Sequence, residues 1–115
     1  MMLDKRLREI EALKLIKKYG LIESTTFPGR FRFELNNKIF GYPIGFNIMG
    51  TVAFASMCIL DGFNTINFDF WDSSVRIEDF EKRLLRLKEQ YEECKLKQKE
   101  NNVRKKLEEI QEDFV

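Results

Sequence analysis

The chain has no histidine. That removes the commonest general base and the commonest metal ligand together. Cysteine is scarce: Cys58 and Cys94 are the only two, and they stand far apart. Such a pair makes neither a disulfide framework nor a zinc-ligand spacing, and it suits a reducing, cytoplasmic setting. Net charge is nearly absent, with 20 basic and 19 acidic residues, so no global field favours nucleic acid or an anionic membrane. The opening MMLDKRLREIEALK is charged throughout and lacks the apolar core of a signal peptide. The glycines of GYPIGFNIMG (Gly41, Gly45, Gly50) are not followed by Gly-Lys-Ser/Thr, so turn and bulge duty is expected of them rather than phosphate binding. Asp61, Asp69 and Asp72 lack a further acid at clear ligand spacing, and neither cysteine has a visible base. These absences predict a protein with no enzymatic activity, no metal and no cofactor.

What is present fits one α+β domain spanning 1–115. A chain of 115 residues buries well over half of its unfolded surface, so it folds without cross-links. Eleven Phe residues promise a substantial core. The Lys, Asn, Ile and Phe richness suits an AT-rich genome, such as that of a low-GC bacterium or its phage.

Ile39–Leu60 holds 22 consecutive residues without a charge. That is long enough to cross a bilayer. Its glycines, Pro43, Asn47, Thr51 and Ser56 argue against a membrane helix, and no basic cluster flanks it. Strands explain it better. Asn36-Asn37, Gly50-Thr51 and Asp61-Gly62 each suit a two-residue hairpin turn. Following the register outward from those turns puts one apolar set on one face: Phe31, Phe33, Phe40, Tyr42, Ile44, Phe46, Ile48, Ala53, Ala55, Met57, Ile66, Phe68 and Phe70. A one-residue slip at any turn would reverse a whole strand. The expectation is a four-stranded antiparallel meander over 30–71, bent at Gly41, Pro43 and Gly45. Residues 51–60 also permit a short buried helix, and the shared face decides for a strand.

Helices flank the sheet. Leu3, Leu7, Ile10, Leu13 and Ile16 form a helical stripe over 1–20, closed by Gly20 as a C-cap. After a cap region at Asp72-Ser73-Ser74, Ile77, Phe80, Leu84, Leu87, Tyr91 and Cys94 form a second stripe over 75–100. KQKENN (Lys97–Asn102) interrupts it. A third stripe, Val103, Leu107, Ile110 and Phe114, follows in a different register over 103–114. One helix over all of this would be roughly 58 Å long, more than a sheet of four strands covers. The expectation is therefore α-ββββ-α, with the long C-terminal helix broken near Asn101 and both helices on the aromatic face. The alternative is a projecting stripe that wants a partner helix.

Two surfaces are candidate sites. The open sheet face is expected to show Arg32, Asn47, Phe54, Asn67, Asp69 and Trp71 to a protein partner, since Trp and Arg are favoured at hot spots. The last helix is expected to offer Tyr91, Val103, Leu107, Ile110 and Phe114 to a partner helix or to a homodimer. The pattern points to a small non-enzymatic protein-binding module, the build of a phage- or mobile-element-encoded inhibitor or adaptor that occupies a surface of a larger host protein. The alternative is a nucleic-acid-binding accessory protein using the basic first helix with Arg30 and Arg32. No membrane association is expected. Cys58 and Cys94 are expected on different sides of the sheet.

Overall fold

The structure, a computed structural model, describes residues 2–36 and 38–113. Its elements in order are α1 (Met2–Lys18), β1 (Ile22–Glu23), β2 (Arg30–Arg32), β3 (Ile39–Phe40), β4 (Ile44–Phe46), β5 (Val52–Leu60), β6 (Ile66–Asp72), a 3-10 turn (Ile77–Asp79) and α2 (Phe80–Asp113). The protein is α+β, with an N-terminal helix, a curled six-stranded mixed sheet and a long C-terminal helix.

The strand order is β1-β2-β4-β5-β6-β3. All neighbours are antiparallel except β3 and β6, which run parallel through Ile39 and Ile66. This corrects the four-stranded meander. The expected bend at Gly41–Pro43 is a complete break. It sends Ile39–Phe40 to one edge of the sheet and Ile44–Phe46 to its middle, so β2 and β3 do not pair. Gly41 makes the crossing possible. At φ +86° it turns past β6 so closely that a Cβ would lie 2.5 Å from the Phe68 carbonyl oxygen, a position open only to glycine.

The register also differs. Ile44 pairs with Phe54, and Cys58 with Phe68, each pairing shifted by three residues from the expected one. The cause lies in the loops. The two-residue turns at Gly50-Thr51 and Asp61-Gly62 are replaced by longer loops over 47–51 and 61–65, built alike. In the first, Asn47 N donates to Thr51 O at 3.0 Å, and Asn47 Oδ1 accepts from Met49 N and Thr51 N. In the second, Asp61 N donates to Thr65 O at 3.0 Å, and Asp61 Oδ1 accepts from Phe63 N and Thr65 N. Gly50 (φ +74°) and Asn64 (φ +60°) take the left-handed position in each. This is the three-residue hairpin loop, a type I turn completed by a left-handed residue. Asn37, half of the third expected turn, lies outside the described residues.

An odd shift reverses the faces. Phe54 and Cys58 are therefore buried under α2, whereas Phe40, Ile48, Met57 and Phe70 are exposed. Phe70 has a left-handed backbone (φ +58°), and the ladder skips its pairing with Ser56. Tyr42, Ile44, Ala53, Ala55, Ile66 and Phe68 are buried as expected, and Phe31, Phe33 and Phe46 pack against the core in part.

Helix α2 lies along β5, whose pairing with β4 ends at Phe54. Beyond that point α2 supplies partners to the free edge. Arg83 Nη1 donates to Ala55 O at 3.1 Å, Cys58 N donates to Gln90 Oε1 at 2.9 Å, and Cys94 Sγ donates to Cys58 O at 3.8 Å. Side chains of the helix thus satisfy a strand edge that would otherwise be an open pairing template. They also bring Cys58 and Cys94 together on one side of the sheet, which corrects the expectation that the sheet separates them. Both thiols are free and buried.

Helix α1 ends in a cap at Gly20 (φ +63°), with Leu21 N donating to Ile16 O at 2.9 Å. Its inward residues are Ala12, Leu15 and Ile16. Leu7, Ile10 and Leu13 of the expected stripe stay exposed, and the Leu3 side chain lies outside the described residues. Arg8 explains the rotation. It donates to the carbonyls of Val75 at 2.7 Å and Ser73 at 2.9 Å and stacks over Phe80 at 5.0 Å.

Candidate functional site

The buried positions of α2 are Phe80, Leu84, Leu87, Tyr91, Cys94 and Gln98, spaced four and three apart. They form the one face that touches the sheet. Tyr91 stacks on Phe68 at 5.9 Å and lies 5.6 Å from Phe33, and its hydroxyl donates to Glu34 Oε1 at 2.8 Å. Lys95 Nζ holds the same carboxylate at 2.7 Å. Lys95 and Tyr91 together keep the Glu34 carboxyl below its ordinary range. Burial, reinforced by Glu34, pushes the Tyr91 phenol up. Tyr91 is therefore a core residue, which corrects its expected place on a partner-binding face.

The expected break near Asn101 does not occur, and α2 runs unbroken through Asn101-Asn102. These amides engage a loop instead of making a turn. Asn101 Nδ2 donates to Asn64 Oδ1 at 2.9 Å, and Asn64 Nδ2 donates to Asn102 Oδ1 at 3.2 Å. Gln98 Nε2 donates to the Asn64 carbonyl at 2.9 Å. The tip of the 61–65 loop is thus clamped to the helix.

Beyond this clamp the helix leaves the body. Every residue from Val103 to Glu112 is exposed, and the molecule is 67 Å long but only 26 and 23 Å across. Extending an existing helix needs no new nucleus, and Lys, Glu, Leu and Arg are good helix formers. The extension carries Val103, Leu107 and Ile110, each more than half exposed, in line with Leu96 at 61%. At about 100° per residue this row points directly away from the face that holds Cys94 and Gln98. It spans roughly 21 Å from Leu96 to Ile110. Upstream, the same line carries Glu89, Glu92 and Glu93. Phe114, expected to continue the row, lies outside the described residues.

The residues expected on the sheet face scatter. Phe54 is fully buried, 5.0 Å from the Phe80 ring. The register shift that buries it corrects its expected exposure. Asn47 belongs to its loop, Asn67 donates to Asp61 Oδ2 at 2.9 Å, and Asp69 sits half-buried opposite Met57. Trp71 and Arg32 do share a neighbourhood, and the residue that joins them is Arg30. Its guanidinium lies 5.0 Å from the Trp71 ring, 5.1 Å from Phe27 and 5.8 Å from Tyr42. Arg32 lies 4.7 Å from Tyr42, and its buried Nε has no hydrogen-bond partner among the described residues. Gly45 makes room for this cluster, since a Cβ there would meet Trp71 at 2.6 Å. Neither arginine has an acidic partner among the described residues.

No group of three or more Cys, Asp or Glu among the described residues could hold a metal, and no described helix is long and apolar enough to cross a membrane. Comparison with known proteins gives no match: no family model fits the chain, and no curated protein or solved structure is similar to it.

Proposed function

We propose that the protein is a small non-enzymatic protein-binding module that docks the outer face of α2 on a larger partner. The observation that carries this reading is the uncovered row Leu96, Val103, Leu107 and Ile110 on a helix that outruns its own domain. Apolar side chains repeated along one face of a solvated helix cost free energy unless something covers them. A helix laid against another helix or in a groove is a recurrent mode of recognition. A compact body with one protruding arm suits an adaptor or an inhibitor that occupies a host-protein surface, as phage- and mobile-element-encoded proteins do.

The test is recovery of partners from nuclease-treated lysate by the full chain and by a chain ending at Asn102. A protein held by the full chain and lost by the shorter one supports the reading. Equal recovery by both removes the helix as the docking surface.

The arginine cluster favours a second reading, nucleic-acid binding. Arg30 and Arg32 are stacked on aromatic rings and have no acidic partner among the described residues, an arrangement suited to phosphates and bases. Binding of single-stranded DNA or RNA that collapses between about 50 and 200 mM salt, and that is lost in Arg30→Ala, supports it.

A further inference from the structure

We infer that the outer row of α2 takes an acidic-edged amphipathic helix from a different protein and rejects a second copy of this chain. The inference rests on the reading that this row is a docking surface. At about 100° per residue, Lys99 and Lys106 border the row on one side, and Lys97 and Arg104 border it on the other. Glu109 and Glu112 fall on the opposite side of the helix, and Glu108 lies just behind the Lys97 and Arg104 border, one turn beyond Arg104. None of the four border cations joins an ion pair among the described residues, whereas Lys14, Lys18, Arg83 and Lys95 all do. The row is thus apolar along its centre, interrupted by Glu100, with two cations on each border and Glu108 behind Arg104.

A second copy sets like charges against one another along the projecting part of the row, a repulsion that the one favourable parallel pair, Glu92 with Lys97, does not offset. Side by side in parallel, Lys99 meets Arg104 of the second copy, and Glu100 meets Glu100. In antiparallel alignment of the apolar residues, Lys99 faces Lys106, and Arg104 faces itself. Sliding the helices until the cations reach Glu89, Glu92 and Glu93 lays those carboxylates against Val103 and Leu107. Like charges at helix borders select against a pairing, and a carboxylate buried against an apolar side chain is costly. A helix bordered by Asp or Glu pairs all four cations, and a cation or amide opposite Glu100 completes the contact.

The experiment uses the full chain and two labelled synthetic helical peptides with the same Leu/Ile row. One peptide carries Glu at every border position and the other carries Lys. Fluorescence anisotropy is expected to show the Glu peptide binding roughly tenfold tighter or more, the effect of four flanking pairs. The preference is expected to shrink with added salt and to invert in the Lys99→Glu/Arg104→Glu/Lys106→Glu variant. Leu107→Asp is expected to abolish binding without altering the melting curve. Sedimentation equilibrium is expected to show a monomer.

Failure of the Glu peptide to bind, equal affinity for both peptides, binding that survives Leu107→Asp, or a dimer split by Leu107→Asp would each overturn the inference. Equal, Leu107-dependent binding of both peptides removes the charge selection and leaves the docking role standing. Partner recovery that is indifferent to truncation at Asn102 removes the docking role itself.

Discussion

Gln98 donates its side-chain amide to the carbonyl of Asn64 at 2.9 Å, and this is where α2 stops being part of the core. Gln98 is the last buried residue of the helix up to Glu112. It also reaches the Lys38 carbonyl at 3.4 Å, so one amide ties the helix to both the 61–65 loop and the approach to β3. Everything the fold needs from α2 lies at or before Asn102.

A chain ending at Asn102 is therefore expected to melt within about 2 °C of the full chain. Gln98→Ala, which leaves the Asn64 carbonyl without its partner, is expected to cost about 1–2 kcal/mol. Denaturant titration of both variants checks this. A large loss on truncation would show that the projecting segment packs on the body.

The two loops at the ends of β5 share one design but differ in titration. Asn47→Ala removes two acceptor contacts and is expected to cost about 1 kcal/mol at any pH. Asp61 makes the same contacts as a carboxylate. Its carboxyl is held below the ordinary range, chiefly by Asn67 and then by the Thr65 backbone. Its contribution is therefore full above the ordinary carboxylate pKa and fades as pH falls through the depressed value. Asp61→Ala should destabilise at neutral pH and progressively less in acid, whereas the effect of Asn47→Ala should stay constant. Melting curves from pH 2 to 7 separate the two.

Two glycines should respond differently to alanine. Gly41→Ala sets a Cβ against the Phe68 backbone in a left-handed conformation, and a loss of about 2 kcal/mol or more is expected. Gly45→Ala meets the tip of Trp71 most closely, at 2.6 Å, with the Gly29 carbonyl oxygen at 3.0 Å and Arg30 Cγ at 3.1 Å, so the indole moves, β2 gives by a few tenths of an ångström and the arginine cluster opens. Trp71 is the only tryptophan. Its emission maximum is expected to shift to the red in Gly45→Ala while the fold persists.

The thiols of Cys58 and Cys94 should be inert in the native state. Burial pushes both up from the ordinary cysteine value, Cys58 the further of the two. The reactive thiolate is thus scarce at pH 8. Ellman's reagent is expected to find no thiol in the folded protein and both in denaturant. Rapid native reaction at either would show that β5 and α2 separate readily.

The α+β class, the flanking helices, the Gly20 cap and the apolar positions of the first part of α2 were legible in the sequence. Each depends on local pattern, and stripes at three- and four-residue steps survive any tertiary arrangement. The register did not follow, because Gly50-Thr51 and Asp61-Gly62 look like tight turns while Asn47 and Asp61 cap longer loops through their side chains. The signal was present: NIMGT and DGFNT share an Asx start, a left-handed former at the fourth position and a closing Thr. Phe54 was misplaced by that error alone. The clamp of Asn101 and Asn102 on Asn64 could not be read from local pattern, since Asn pairs mark turns more often than contacts across a fold. The arginine cluster was half legible: Arg32 and Trp71 were singled out, but Arg30, which joins them, depends on the β2–β4 pairing.

The most direct test of the account is partner recovery by Leu107→Asp, set beside the full chain and Trp71→Ala in the same nuclease-treated lysate. The account predicts a melting curve unchanged by Leu107→Asp, loss of the partner in that variant alone, and its retention in Trp71→Ala. A partner that stays bound to Leu107→Asp and leaves with Trp71→Ala would contradict it and move the docking surface to the arginine cluster.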